Sequence, residues 1–113
     1  IYEEDTEENI EKLTKKIVNL RIFNDENNKM NLSIKEVKGE ILLISQFTLC
    51  ADTRKGNRPS FIMAKEPTDA NVIYEKTIES IRNEGVIVEK GIFGADMKVE
   101  LLNDGPVTIL LDI

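Results

Sequence analysis

Apolar residues recur at helical spacing along DTEENIEKLTKKIVNL (5–20), with Ile10, Leu13, Ile17 and Leu20 on one face. Asp5, followed three residues later by Glu8, has the form of a capping box, so the pattern predicts an amphipathic helix over this segment. The polar stretch NDENNK (24–29) breaks the period and reads as a loop. EILLISQFTL (40–49) opens on an unbroken apolar run behind Gly39. It is short for a helix and reads as a strand buried on both faces. Residues 50–67 read as irregular, punctuated by Gly56, Pro59 and Pro67.

Helical spacing returns in TDANVIYEKTIESIRNEG (68–85), where Ala70, Ile73, Thr77 and Ile81 form a stripe. Thr68 is the expected N-cap, and Gly85 suits the position just past the helix end. VIVEKGIF (86–93) and MKVELL (97–102) then alternate apolar and polar residues as half-buried strands do, with GAD (94–96) as a hairpin link. A last strand is expected at VTILLDI (107–113). Helix, strand, helix and three strands predict an α+β fold with a mainly antiparallel sheet and two helices packed on it. So small a sheet has edges that need covering, by strands preceding residue 1 or by a partner subunit. The chain opens on Ile rather than Met and runs straight into an acidic helix start, so preceding residues are expected.

Length and composition narrow the chemistry. A chain of 113 residues, 41% hydrophobic and 32% charged, is expected to form one globular domain over 1–113. No apolar stretch approaches a membrane span, and no signal peptide is visible. There is no histidine, which excludes serine–histidine and cysteine–histidine nucleophile pairs, histidine metal sites and imidazole acid–base catalysis. Cys50 is the only cysteine, so it reads as a small buried hydrophobe in a reducing cytoplasm rather than half of a disulfide or a zinc ligand. No metal and no cofactor is expected. The net charge of −6 argues against wide, non-specific nucleic-acid binding. One basic patch exists in TRKGNR (53–58), where Arg54, Lys55 and Arg58 crowd a short loop. It reads either as a solvated loop or as a narrow phosphate contact.

The stretch NDGPVT (103–108) poses a sharper question. Asn, Asp and Gly tolerate positive φ, which fits an ordinary turn. Yet proline interrupts the approach to the strand that should follow, and a Gly-Pro step can hold a cis peptide bond at modest cost. The stretch is therefore either a plain turn or a rigid backbone feature built to touch a ligand.

Four motifs bear on that choice: SQFTL (45–49), KGNRPSF (55–61), GIFGADM (91–97) and NDGPVT (103–108). Together, in order and spacing, they resemble the D-aminoacyl-tRNA deacylase family in its bacterial form. The likeness runs through essentially the whole chain, except that the family's N-terminal β-hairpin region has no counterpart in these residues. The resemblance implies a barrel-like, mainly antiparallel core and a homodimeric cytoplasmic enzyme. Its substrate would be the ester joining a D-amino acid, or mischarged glycine, to the 3′ end of tRNA. L-aminoacyl-tRNA would be spared.

The resemblance also implies roles for particular residues. The strand end at Ser45, Gln46, Phe47 and Thr48 would line the pocket of one subunit. Gly105 and Pro106 of the other subunit would enter it as a chiral filter, joined by a cis bond. Backbone N–H groups near Gln46, Phe47 and Thr48 could then serve as an oxyanion hole. Thr48 is expected to position substrate, since no histidine exists to take its proton. Phe93, Gly94 and Met97 would hold the terminal adenine, or else form an ordinary hairpin with a core phenylalanine. Arg54, Lys55 and Arg58 would lie near the tRNA phosphates. Two other readings compete: a relative correcting a different mischarged tRNA, and a non-catalytic nucleic-acid or protein-binding module on the same fold.

Overall fold

The computed structural model describes residues 1–113. Helix α1 runs Glu7–Asn19, strands β1 and β2 are Phe23–Asn24 and Met30–Leu32, and β3 is Glu40–Leu43. A short 3-10 turn at Phe47–Cys50 follows, then helix α2 at Pro67–Asn83 and strand β4 at Ile87–Lys90. Both expected helices are present, and the class is α+β as expected.

The helix starts differ slightly from the sequence reading, for a local reason. The cap of α1 is Thr6, whose N–H donates to Asn9 Oδ1 at 2.8 Å. Asp5 instead accepts the N–H of Tyr2 at 2.7 Å. Glu66, not Thr68, caps α2: its carboxylate accepts the N–H groups of Thr68 at 3.0 Å and Asp69 at 3.3 Å. Pro67 then takes the first helical position, where its missing N–H costs nothing. Gly85, with φ of +85°, follows the C-cap as expected.

The sheet differs more. β3 and β4 pair in parallel, with Glu40 opposite Ile87 and Leu43 opposite Lys90. Helix α2 lies between them in sequence, and a helical crossover returns the chain in the same direction. The antiparallel component is β1–β2, a hairpin made where the sequence suggested only a loop. Asp25 closes it by accepting the N–H groups of Asn27 at 2.8 Å and Lys29 at 3.1 Å, and Asn28 takes a φ of +58°. The expected strands at 97–102 and 107–113 form no ladder, and the turn at 92–95 leads into no hairpin. Alternation reports which face of a strand would be buried, but a strand also needs a neighbour, and none lies within this chain.

The core forms where α1, α2 and β4 meet. Val18, Ile34, Tyr74, Ile78, Ile81, Val86 and Val88 form one buried cluster, flanked by Ile17, Phe23, Ile41, Leu43 and Phe93. The inner stripe of α2 is Ala70, Tyr74, Thr77, Ile78 and Ile81, with Ile73 half-buried beside it. Thr14 on α1 is buried and donates its hydroxyl proton to Ser80 Oγ at 2.9 Å, tying the two helices together. β3 is buried on one face only: Ile41 and Leu43 face the core, whereas Leu42 is exposed. The strand therefore ends beside the core with one side open.

Candidate active site

The end of β3 is pinned before it reaches SQFT. The carbonyl of Leu43 accepts the Tyr74 hydroxyl at 2.7 Å and the Gly91 N–H at 3.3 Å. Helix α2 and the end of β4 thus fix the point two residues before Ser45. Beyond it the strand geometry stops, and Phe47–Cys50 coil into the 3-10 turn. The sequence reading extended the strand to Leu49, because Phe, Thr and Leu suit a strand as well as a turn. Cys50 anchors the turn's far end: it is buried, as expected, with Sγ 3.5 Å from the Ile1 carbonyl.

Ser45 is half-buried at the start of this turn, and Gln46, Phe47 and Thr48 are exposed. The Gln46 side-chain amide donates to Thr48 Oγ1 at 2.7 Å, so one lone pair of that hydroxyl is engaged by a neutral donor. This orients Thr48 and does not activate it. The N–H groups that open a helical turn have no helical acceptor, which leaves the Phe47 and Thr48 amides available to a ligand oxygen. Phe47 meets Phe61 edge to face at 4.9 Å, so SQFT and RPSF form one wall.

The basic loop is closed at its neck. Asp52 and Ser60 exchange both backbone hydrogen bonds, at 2.7 and 2.9 Å. Arg54 folds back onto Asp52 as a two-pronged fork, Nε to Oδ1 at 2.8 Å and Nη2 to Oδ2 at 2.6 Å. The guanidinium and the Arg54 N–H hold the Asp52 carboxyl down at about 2. Arg54 is thereby engaged, whereas Lys55 and Arg58 form no ion pair.

The segment 91–97 turns over the end of β4. Phe93 is half-buried and packs on Tyr74 with ring centres 5.9 Å apart. Met97 folds back over Gly91, where a Cβ would lie 2.5 Å from its sulfur. Gly94, with φ of +75°, has open space around it.

In the last motif the Gly105–Pro106 bond is cis and Gly105 has a φ of +137°. A Cβ on Gly105 would lie 2.8 Å from Val107 Cγ2 and 3.1 Å from the Val107 nitrogen, so the position has room only for glycine. Residues 104–107 face Ile22, Phe23, Asn24 and Met30 of the β1–β2 hairpin across a cleft of about 430 Å³. None of residues 45–48 lines that cleft. The structure thus brings SQFT together with Phe61, and the Gly-Pro turn together with the hairpin. Within one chain it does not bring these two groups into one pocket. The hairpin wall escaped the sequence reading, although Asp25 and Asn28 in a polar hexapeptide between Phe23 and Met30 were a usable turn signal.

Comparison with known proteins bears on what these walls belong to. A family model described as D-Tyr-tRNA(Tyr) deacylase matches residues 1–112. The chain belongs to that family. It is 57% identical over 112 residues to a D-aminoacyl-tRNA deacylase of Clostridium botulinum (strain 657 / Type Ba4), covering 99% of this chain and 75% of the relative. A D-aminoacyl-tRNA deacylase of Magnetococcus marinus is 54% identical over 110 residues, covering 96% and 73% of the two chains. Among solved structures, a c-Myc DNA Unwinding Element Binding Protein superposes with a TM-score of 0.87 at 41% identity, over 96% of this chain and 74% of that one. Membership of the deacylase family is what the four motifs implied. No helix of the chain is long and apolar enough to cross a membrane.

Proposed function

We propose that this chain hydrolyses the ester of D-aminoacyl-tRNA, and of glycine mischarged on tRNA, while sparing L-aminoacyl-tRNA. The observation that carries this is the family match over residues 1–112. Water adds to the ester carbonyl, the bond to the ribose oxygen breaks, and free amino acid and tRNA leave. The Gln46, Phe47 and Thr48 amides stabilise the developing oxyanion, with Ser45 shaping the pocket and Thr48 positioning the substrate. A chain without histidine supports activation by the terminal ribose's own 2′-hydroxyl.

The filter is main chain. Proline fixes φ, so the carbonyls of the Gly105–Pro106 turn present a rigid surface to the α-ammonium and to the place an L side chain would occupy. A D side chain points away from it, and glycine has none to reject. Two copies assemble so that Gly105 and Pro106 of one meet Ser45–Thr48 of the other. Support for this comes from the absence of residues 45–48 from the cleft that the turn lines in its own chain.

Phe93, Gly94 and Met97 hold the terminal adenine, a reading supported by the open space around Gly94. The loop carrying Arg54, Lys55 and Arg58 contacts phosphates, supported by the two unpaired cations and limited by the net charge of −6. The cytoplasm is the compartment that suits such a substrate. A second reading, nucleic-acid binding without catalysis, is favoured by the name of the structural relative alone.

The test is hydrolysis of D-tyrosyl-tRNA and L-tyrosyl-tRNA at matched concentrations by the wild type and by Gly105→Ala. Wild type should cleave the D-ester alone. The variant, strained at Gly105, should lose about tenfold or more in D-ester turnover, or begin to cleave the L-ester, because small misplacements at a reacting centre cost that much. No hydrolysis of either ester by folded, dimeric wild type would favour the binding reading. Cleavage of both by wild type would keep the esterase and remove the filter.

A further inference from the structure

Within the turn that carries Gly105 and Pro106, the backbone supplies no bond of its own to hold the shape. No backbone–backbone hydrogen bond spans residues 103–108, and these residues belong to no strand pair. Pro106 has no N–H to offer, and Gly105 is the residue type that resists disorder least. All of the turn except Val107 is exposed.

Two hydrogen bonds bridge it, and both come from one side chain. Asn103 Oδ1 accepts the N–H of Val107, the first donor after the proline, at 2.9 Å. Its Nδ2 donates to Thr108 Oγ1 at 3.0 Å. With Oδ1 turned to the Val107 N–H, the other end of the planar amide presents its donor to Thr108, so the two contacts fix each other's orientation. The Asn103 amide therefore stands where a hairpin would place a backbone pair. It joins the residue before the turn to both residues after Pro106. Val107, held in this way, is the residue that crowds Gly105 and that lines the cleft opposite Phe23 and Met30.

We propose that Asn103 is a positioning residue: with Thr108 as its partner, it holds the Gly105–Pro106 turn in the shape that discriminates D- from L-aminoacyl esters. This rests on the reading of that turn as the chiral filter. Asn103 touches neither ester nor nucleophile in this account. It acts through the direction in which the turn's carbonyls point.

The experiment compares Asn103→Ala, Asn103→Asp and Thr108→Val with wild type. The readouts are kcat/KM on D- and L-tyrosyl-tRNA, the melting temperature and the oligomeric mass. Asp at 103 still accepts from the Val107 N–H, and its second oxygen can accept from the Thr108 hydroxyl, so both links survive. The ratio of D-ester to L-ester kcat/KM is expected to fall about tenfold or more in Asn103→Ala. It should return toward wild type in Asn103→Asp and fall by a smaller factor in Thr108→Val, which keeps the Val107 link. Melting temperature and mass should stay near wild type in all three, since the turn lies outside the core. An unchanged ratio in Asn103→Ala overturns the proposal and leaves the filter standing. Equal losses in Asn103→Ala and Asn103→Asp that track a fall in melting temperature also overturn it, because the side chain would then be merely structural. A wild type that cleaves both esters alike removes the filter and the proposal together, before any variant is compared.

Discussion

Asp52 and Arg54 show how one charged side chain can be committed to its own loop. A fork of 2.6 and 2.8 Å satisfies Asp52 and leaves Lys55 and Arg58 as the free cations of a loop whose neck is already closed. The carboxyl sits at about 2 rather than 3.8, first because of the Arg54 side chain and then because of the Arg54 N–H. A folded value below the unfolded one means that the contribution to stability is complete above about 3.8 and disappears as the pH falls through about 2. The Asp52–Arg54 fork should therefore be intact at neutral pH. Carbon-detected NMR of the Asp52 carboxyl should find its midpoint near 2 in the wild type, and nearer 3.8 in Arg54→Ala. A wild-type midpoint near 3.8 would mean that the fork does not form in solution and that Arg54 is free beside Lys55.

At the scale of elements, the site depends on where β3 stops, and Tyr74 is the α2 residue that sets this. Its hydroxyl reaches the Leu43 carbonyl at 2.7 Å from a buried ring. Tyr74→Phe keeps the ring packed against Phe93 and removes one hydrogen bond, while Gly91 still donates to the same carbonyl. The expected loss is about 1 kcal/mol of unfolding free energy, at the usual worth of a single neutral hydrogen bond. On the proposed role of the SQFT amides, D-ester turnover should fall with KM little changed, because the tether holds the strand end that leads into them. Urea unfolding with steady-state kinetics tests this; unchanged turnover would show that the strand end is held well enough by Gly91. The sequence made the helices legible because their 3.6-residue period is a local property, and only the capping residue slipped. Asp5–Glu8 and Thr6–Asn9 are both plausible boxes, and geometry chose the second. The strands were legible as alternation but not as pairs, since pairing joins residues distant in sequence. For the same reason SQFT and GPVT were readable as motifs, whereas the cleft joining Phe23 and Met30 to residues 104–107 was not. The Asn103 bridge spans only residues 103–108, yet an Asn before a turn has several backbone partners to choose from.

At the scale of the whole molecule, residues 98–113 stand apart from the core cluster. The chain's radius of gyration is 15.6 Å, against about 13 Å for a compact chain of this length. Residues 98–113 have no strand partner, and Leu102 and Leu110 are 91% and 90% exposed, with Leu101 and Ile109 beside them. An apolar, strand-patterned segment left open in this way needs a neighbouring strand or surface to cover it. The chain spans about three quarters of the length of its relatives, so strands preceding residue 1 or a second copy can cover this segment. In the proposed dimer a second copy covers part of it, on the side that carries Gly105 and Pro106 toward the partner's Ser45–Thr48. Burying one leucine contributes about 1.5–3 kcal/mol, and a charge in its place forfeits that and adds a desolvation cost. Leu102→Asp should therefore weaken dimerisation about tenfold or more, at 1.4 kcal/mol for each factor of ten. Lys12→Glu, a charge change on the exposed face of α1, should leave association alone. Sedimentation velocity across a dilution series would read both. D-ester hydrolysis by Leu102→Asp should fall at dilute protein and recover at high concentration if, as proposed, each site draws residues from two chains. A wild type that sediments as a monomer while remaining active would remove the shared site. A Leu102→Asp protein that dimerises as tightly as wild type would take Leu102 out of the interface.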